Sequence, residues 1–219
     1  MSNVTVIDHP LARAALTVCR DANTPSGGPF ARQMARVGRV LAPYALAGIE
    51  TDAKRVQTPL EVGHDGVIQH GKVALVPILR AGKALEQPFA DLLERYCVWD
   101  LGLRRNEQTL KPEQYLNRIP ERVPAVVQHT IVLEIMLATG GSSVHAVDIL
   151  KERGATKITF VCVVSAPEGI RKLSEAHPDV DIFTVAVDER LTTMEDAFPP
   201  GYIVPGLGDA GRRLNDSAE

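Results

Sequence analysis

Residues 130–143, Thr-Ile-Val-Leu-Glu-Ile-Met-Leu-Ala-Thr-Gly-Gly-Ser-Ser, constrain this chain more than any other stretch. The run opens with β-branched and apolar residues, the pattern of a buried strand. One acid, Glu134, follows, then a small turn with Gly140 and Gly141, then a helical pattern carrying Val144, Val147, Ile149 and Leu150. A strand, a glycine turn and a helix N-terminus together make an anion site. The first N–H groups of the helix have no intrahelical acceptor, and the helix dipole favours negative charge there. Glycine lets the backbone come close to a phosphate. A lone acid beside such a cradle would repel phosphate, but it suits hydroxyls next to one, as on a ribose.

The same alternation runs through the chain after Gly71. Residues 73–79, 96–103, 130–136, 157–164 and 180–187 are apolar runs predicted as strands. Residues 84–95, the stretch ending at Arg153, and residues 167–176 are predicted as helices. Gly154 stands where a helix C-cap glycine belongs, and Pro167 opens its helix. Two earlier helices are predicted over residues 11–19 and 30–46, with a loop at 24–29 between them. Residues 55–61 alternate weakly, as an edge strand does. This rhythm predicts an α/β fold, a parallel sheet with helices on both faces, in which ligands bind beyond the carboxyl ends of the strands. A length of 219 residues suits a single domain spanning 1–219. Residues 104–124 break the rhythm. They are polar and hold Pro112, Pro120 and Pro124, which reads either as a functional excursion or as a plain solvated hairpin.

Several classes are disfavoured. A net charge of −3 gives no global basic field for nucleic acid. Cys19, Cys97 and Cys162 are scattered and odd in number, so they read as reduced core thiols. No apolar run approaches the ~20 residues that span a bilayer, and no basic-then-apolar segment opens the chain, so a cytoplasmic address is expected, with no membrane partner. His64 and His70 have no third ligand at metal-site spacing. Gly206-x-Gly208-x-x-Gly211 fits a dinucleotide fingerprint, but it lies near the end of the chain, with no helix and strand expected after it. Gly66 to Gly71-Lys72 nearly fits a P-loop, but Val73 follows it where a hydroxyl is needed.

Three further segments give the anion site a context. Pro77-Ile78-Leu79-Arg80-Ala81-Gly82 ends a predicted strand with an arginine, whose planar fork suits phosphate oxygens. Arg104-Arg105-Asn106-Glu107-Gln108-Thr109-Leu110-Lys111-Pro112 is a charged loop. Tyr202-Ile203-Val204-Pro205-Gly206-Leu207-Gly208-Asp209-Ala210-Gly211 is a glycine-rich C-terminal run. With residues 136–142, these segments resemble, in order, the signatures of type I phosphoribosyltransferases, most closely the uracil phosphoribosyltransferase family. Glu134-Ile135 stand where that family has Asp-Pro, and the end of the chain departs from its usual tail. Ser165-Ala166-Pro167-Glu168-Gly169 also matches and reads as a structural turn.

The resemblance implies a mobile loop and a small hood built from the termini (residues 1–50 and 199–219). It implies transfer of 5-phosphoribose from 5-phosphoribosyl pyrophosphate (PRPP) to uracil, giving UMP and pyrophosphate, with Mg²⁺ bound mainly through PRPP. The PRPP-binding set carried over is Arg80, Arg105, Glu134, Ile135, Met136, Leu137, Ala138, Thr139, Gly140, Gly141, Ser142 and Asp209. The uracil-binding set is Tyr202, Ile203, Gly208, Asp209 and Ala210. The catalytic set is Arg105, Glu134 and Asp209. Lys83 and Arg104 stand where the family has apolar or aromatic residues, at the expected border of the pocket. A homodimer or homotetramer and a GTP effector belong to the family, and no residue here selects among them. The second reading is a diverged paralogue that binds PRPP or a nucleotide as a regulator.

Overall fold

The structure, a computed structural model, describes residues 4–60, 62–105 and 112–215, with the side chains of Arg105 and Pro112 left out. The chain opens with β1 (Val4–Val6), α1 (Pro10–Arg20) and α2 (Gly28–Ala45). A hairpin follows, β2 (Thr51–Val56) and β3 (His64–Gln69), then β4 (Lys72–Leu79), a 3₁₀ turn at Ala81–Leu85 and α3 (Glu86–Ala90). Next come β5 (Tyr96–Val98), β6 (Leu101–Arg105), β7 (Pro112–Asn117), β8 (Val127–Leu133), β9 (Met136–Leu137) and α4 (Gly141–Glu152). The remainder is β10 (Ile158–Val161), β11 (Val164–Ser165), α5 (Pro167–Ala176), β12 (Asp181–Thr184), β13 (Ala186–Val187), β14 (Arg190–Leu191), β15 (Ile203–Val204) and α6 (Ala210–Asn215).

The main sheet has the order β1-β12-β10-β8-β4-β6-β7, with β5 also on β4. All of its pairs are parallel except β6 with β7. Strand alternation sends side chains to two cores. Val73, Leu75, Ile131, Leu133 and Val161 join α1, α2 and α3 on one face. Ala74, Val76, Ile78, Val132, Phe160 and Ile182 join α4 and α5 on the other. This period of two, with helices on both faces, is the predicted α/β layout.

Local readings differ from the structure in five places, the first being the run at 96–103, which is two strands, β5 and β6, separated at Trp99-Asp100. The three central runs predicted as continuous strands each break near the carboxyl end, at Glu134-Ile135, Cys162-Val163 and Val185, and resume as a second sheet of order β13-β11-β9. The Ile135 carbonyl accepts from both Val163 and Val164, and the Val163 carbonyl from both Val185 and Ala186. These doubled acceptors are bulge geometry, and they bend the strands where ligand-bearing turns begin. The helix predicted over residues 84–95 is shorter and begins as a 3₁₀ turn. Pro88 has no N–H for the Ala84 carbonyl, and Leu92 and Leu93 tail off in i−3 bonds. The weak strand at 55–61 lies earlier, at Thr51–Val56, and pairs with His64–Gln69. A short helix, α6, begins within the Gly206–Gly211 run, at Ala210, where no helix was expected.

The polar excursion is an antiparallel hairpin in which Arg104 pairs with Glu113 (Nε–Oε2 3.1 Å). Residues 106–111, which include most of the predicted mobile loop, lie outside the described residues. Cys19 and Cys162 are core thiols, pushed by burial up to about 12, whereas Cys97 is only half-buried. Among the described residues no helix is long and apolar enough to cross a membrane.

Candidate active site

Two arms of one site emerge from the carboxyl ends of the sheet. β4 delivers Arg80 and the turn after it. The turn lies hard against the end of β8: a Cβ on Gly82 would sit 2.1 Å from the Leu133 carbonyl oxygen. Only glycine fits there, so Arg80 and Glu134 are held on neighbouring strand ends. β9 then leads into Ala138, Thr139 and Gly140. Gly140 adopts φ +75° as the N-cap of α4, a left-handed conformation that glycine takes at low cost. The N–H groups of Gly141, Ser142 and Ser143 occupy the first turn, without intrahelical acceptors.

The segment at residues 165–169 shapes this cradle. A Cβ on Gly169 would meet the Ala138 carbonyl oxygen at 2.4 Å and that of Leu137 at 2.6 Å. The start of α5 therefore presses directly on the turn, which agrees with the structural role predicted for Gly169.

A cleft of about 730 Å³ is lined by Arg80, Ala81, Arg104, Tyr115, Glu134, Met136, Ser142, Asp209 and Gly211, among others. A smaller one, of about 280 Å³, is lined by Met136, Ala138, Thr139, Gly201, Tyr202, Ile203 and Asp209. Met136 and Asp209 line both. The clefts therefore adjoin, with the anion cradle between the arginines and the Tyr202–Ile203 segment.

Glu134 takes part in the turn that carries it. The Ile135 N–H donates to its Oε1 at 2.7 Å. The carboxyl borders the cleft yet is densely surrounded by protein. Burial pushes its pKa up to about 7, against the pull of the Ile135 and Met136 N–H groups. Near neutrality it is therefore part acid and part carboxylate. Asp209 is fixed by the helix it precedes: Oδ1 accepts from the Arg212 N–H at 3.0 Å, an N-cap bond, and Oδ2 lies 3.5 Å from Arg212 Nε.

The second arm is held from far away in the sequence. Asp188, at the end of β13, has a 4% exposed side chain. It accepts from Arg20 Nη1 (2.8 Å) and Nη2 (2.6 Å), and from the Gly206 N–H (2.9 Å). Arg20 also donates to the Gly206 carbonyl at 3.0 Å. Arg213 lies over the Phe30 ring at 4.3 Å and donates to the carbonyls of Cys19, Leu207 (3.0 Å) and Asp21 (2.9 Å). Thus α1, α2 and α6 together fix the run 202–211. β14 pairs with β15, and the Tyr202 N–H donates to Thr192 Oγ1 at 2.8 Å.

Most residues predicted for the site meet here, but not all in the same way. Arg80, Glu134, Met136, Ala138, Thr139, Ser142, Tyr202, Ile203 and Asp209 line the two clefts. Ile135 and Leu137 do not. Both are fully buried, because the bend at Glu134 turns alternate side chains inward. Ala210 is fully buried as well, and Gly208 is a left-handed turn residue with φ +68°. The Arg105 side chain lies outside the described residues. Arg104 borders the larger cleft. Lys83 instead pairs with Glu86 (2.6 Å) and Asp100 (2.8 Å). Arg20, Asp188 and Arg213 were missed in the sequence, since a lone charge at a helix or strand end carries no motif.

The architecture is that of type I phosphoribosyltransferases. A solved protein of Aquifex aeolicus superposes with a TM-score of 0.84 at 32% identity, covering 98% of this chain and 99% of that one. Adenine phosphoribosyltransferase of Trypanosoma brucei shares the fold, with a TM-score of 0.52 at 14% identity over 91% of this chain and 90% of that one. The family model for uracil phosphoribosyltransferase matches residues 6–216. The chain is 43% identical to uracil phosphoribosyltransferase of Dictyoglomus thermophilum over 213 residues, 96% of this chain and 98% of that one. It is 43% identical to that of Enterococcus faecalis over 98% of each. The chain belongs to the uracil phosphoribosyltransferase family.

Proposed function

We propose that the protein transfers the 5-phosphoribosyl group of PRPP to uracil, giving UMP and pyrophosphate. The observation that carries this reading is the meeting of an arginine turn, an anion cradle and the 202–211 run around two adjoining clefts. In the reaction the bond from C1 of ribose to uracil N1 forms as the C1–oxygen bond to pyrophosphate breaks, and the N1 proton leaves. The protein need supply no nucleophile. Its work is positioning and charge stabilisation.

The turn Ala138–Gly140 and the first turn of α4 hold the 5-phosphate. Arg80 faces the pyrophosphate with Arg104 beside it, and Arg105 joins them by family resemblance. Glu134 and Asp209 take the ribose hydroxyls. Asp209, with Glu134 when ionised, would hold a Mg²⁺ ion brought mainly by PRPP, since Mg²⁺ needs few direct protein ligands there. When bound, Mg²⁺ neutralises charge on the departing pyrophosphate. Backbone groups around Ile203, Gly208 and Ala210 read the uracil edge, whose alternating N–H and C=O groups suit them. The α1, α2 and α6 contacts support reading the termini as the hood of a single domain. Family membership supports a homodimer or homotetramer, a GTP effector and a cytoplasmic location. No feature of the described residues favours the regulator reading.

The test is steady-state turnover by the purified protein with PRPP, Mg²⁺ and either uracil or cytosine. UMP formation from uracil with little product from cytosine is the expected result. Tight PRPP binding with no UMP formed would instead favour the regulator reading.

A further inference from the structure

The cradle residues 138–143 contain no lysine or arginine, yet their proposed ligand is a phosphate dianion. A cation arrives from α5. Gly169 presses on the cradle through its missing Cβ, and Lys172, three residues on, lies on the same helix face. The stem of Lys172 runs over the turn, its Cβ 3.1 Å from where a Cβ on Gly140 would stand. Its amine ends beside the first residue of α4, with Nζ 3.8 Å from the Cβ position of Gly141. Thr139 Oγ1 is 3.9 Å from that same point. Lys172 makes no ion pair among the described residues, whereas Lys83 and Lys151 both do.

We propose that Lys172 binds the 5-phosphate of PRPP and UMP, adding a charged side chain to the cradle beside Thr139. This inference rests on the phosphate reading of residues 138–142. The amine complements the helix-terminal N–H groups with a full charge, which they lack. Its position also makes it selective for one end of the substrate. The pyrophosphate lies toward Arg80, across the larger cleft, so Lys172 discriminates between the two anionic groups of PRPP.

The probes are ribose 5-phosphate and pyrophosphate as separate inhibitors, with the KM for PRPP measured alongside. Lys172→Ala is expected to raise the inhibition constant of ribose 5-phosphate and the KM for PRPP about ten-fold, the scale of one charge-assisted hydrogen bond. It is expected to leave pyrophosphate inhibition and the KM for uracil unchanged. Lys172→Arg restores most of the loss. A purely structural role for Lys172 would move both inhibitors together, and that result overturns the proposal. If Lys172→Ala changes nothing while Thr139→Val weakens ribose 5-phosphate, Lys172 is excluded and the cradle stands. If neither variant weakens it, the phosphate reading falls as well.

Discussion

The two halves of the proposed site, the 134–143 turn assigned to the phosphate and the 201–210 run assigned to the base, are built by opposite strategies. The phosphate half is a single run, residues 134–143, shaped by its own glycines and by the neighbouring strand ends and α5. The base half, residues 201–210, has little regular structure of its own. It is held by Arg20, Asp188 and Arg213, two of them at opposite ends of the chain. A phosphate is recognised by N–H groups that any helix N-terminus offers, so local geometry suffices. An irregular loop, unlike a helix terminus, does not hold its own shape, so the 201–210 run needs external clamps to stay in place.

The largest expected effect comes from cutting a distant clamp. Asp188→Ala leaves the half-buried Arg20 unpaired and frees the Gly206 N–H. A stability loss of about 3 kcal/mol is expected in denaturant melts, near the low end for a broken buried pair because Arg20 is partly solvated. In the folded fraction the KM for uracil rises more than that for PRPP. A larger effect on PRPP would show that the two halves are not separately held.

Next is a local cut. Gly169→Ala puts a methyl against the Ala138 and Leu137 carbonyls and displaces the cradle. A shift of about 1 Å costs on the order of 10²-fold in kcat/KM for PRPP, with the KM for uracil nearly unchanged. Equal losses for both substrates would blur the division.

Glu134 tests the junction. Its folded pKa, about 7, lies above the unfolded value near 4.5. The stability attached to its neutral form is therefore complete below pH 4.5 and is lost as pH rises through 7. Glu134→Gln should flatten thermal stability across that window and remove an inflection near pH 7 from the rate profile. A wild-type profile without that inflection would mean that Glu134 does not titrate in the working enzyme.

The smallest effect is at Arg104. Its pair with Glu113 is exposed, so Arg104→Ala should cost less than about 1 kcal/mol of stability. The KM for PRPP should rise only a few-fold.

This contrast also explains what the sequence made legible. The strand, acid, glycine turn and helix at residues 130–143 are consecutive, and each obeys a local rule, so the shape of this turn was readable directly. The parallel sheet was readable too, because strand and helix periods alternate cleanly after Gly71. The register breaks at Ile135, Val163 and Val185 were not. Each lies within an apolar run, and only pairing with neighbouring strands produces the bulges. The inward turn of Ile135 and Leu137 follows from those bulges. The clamps at Arg20, Asp188 and Arg213 were invisible because nothing in their own neighbourhoods names their partners. The 202–211 run was legible only as a resemblance, since a glycine-rich segment alone predicts no more than a turn.

The most direct test of the two-part site is a crystal structure of the protein with UMP, which spans both halves. The phosphate is expected on the Thr139–Ser142 amides, with Lys172 Nζ within hydrogen-bond reach. The uracil ring is expected between Met136 and the Tyr202–Ala210 backbone, with Gly206 still held by Asp188. UMP bound with its phosphate away from the N-terminus of α4, or its ring outside the Tyr202–Ala210 loop, would contradict the two-part site.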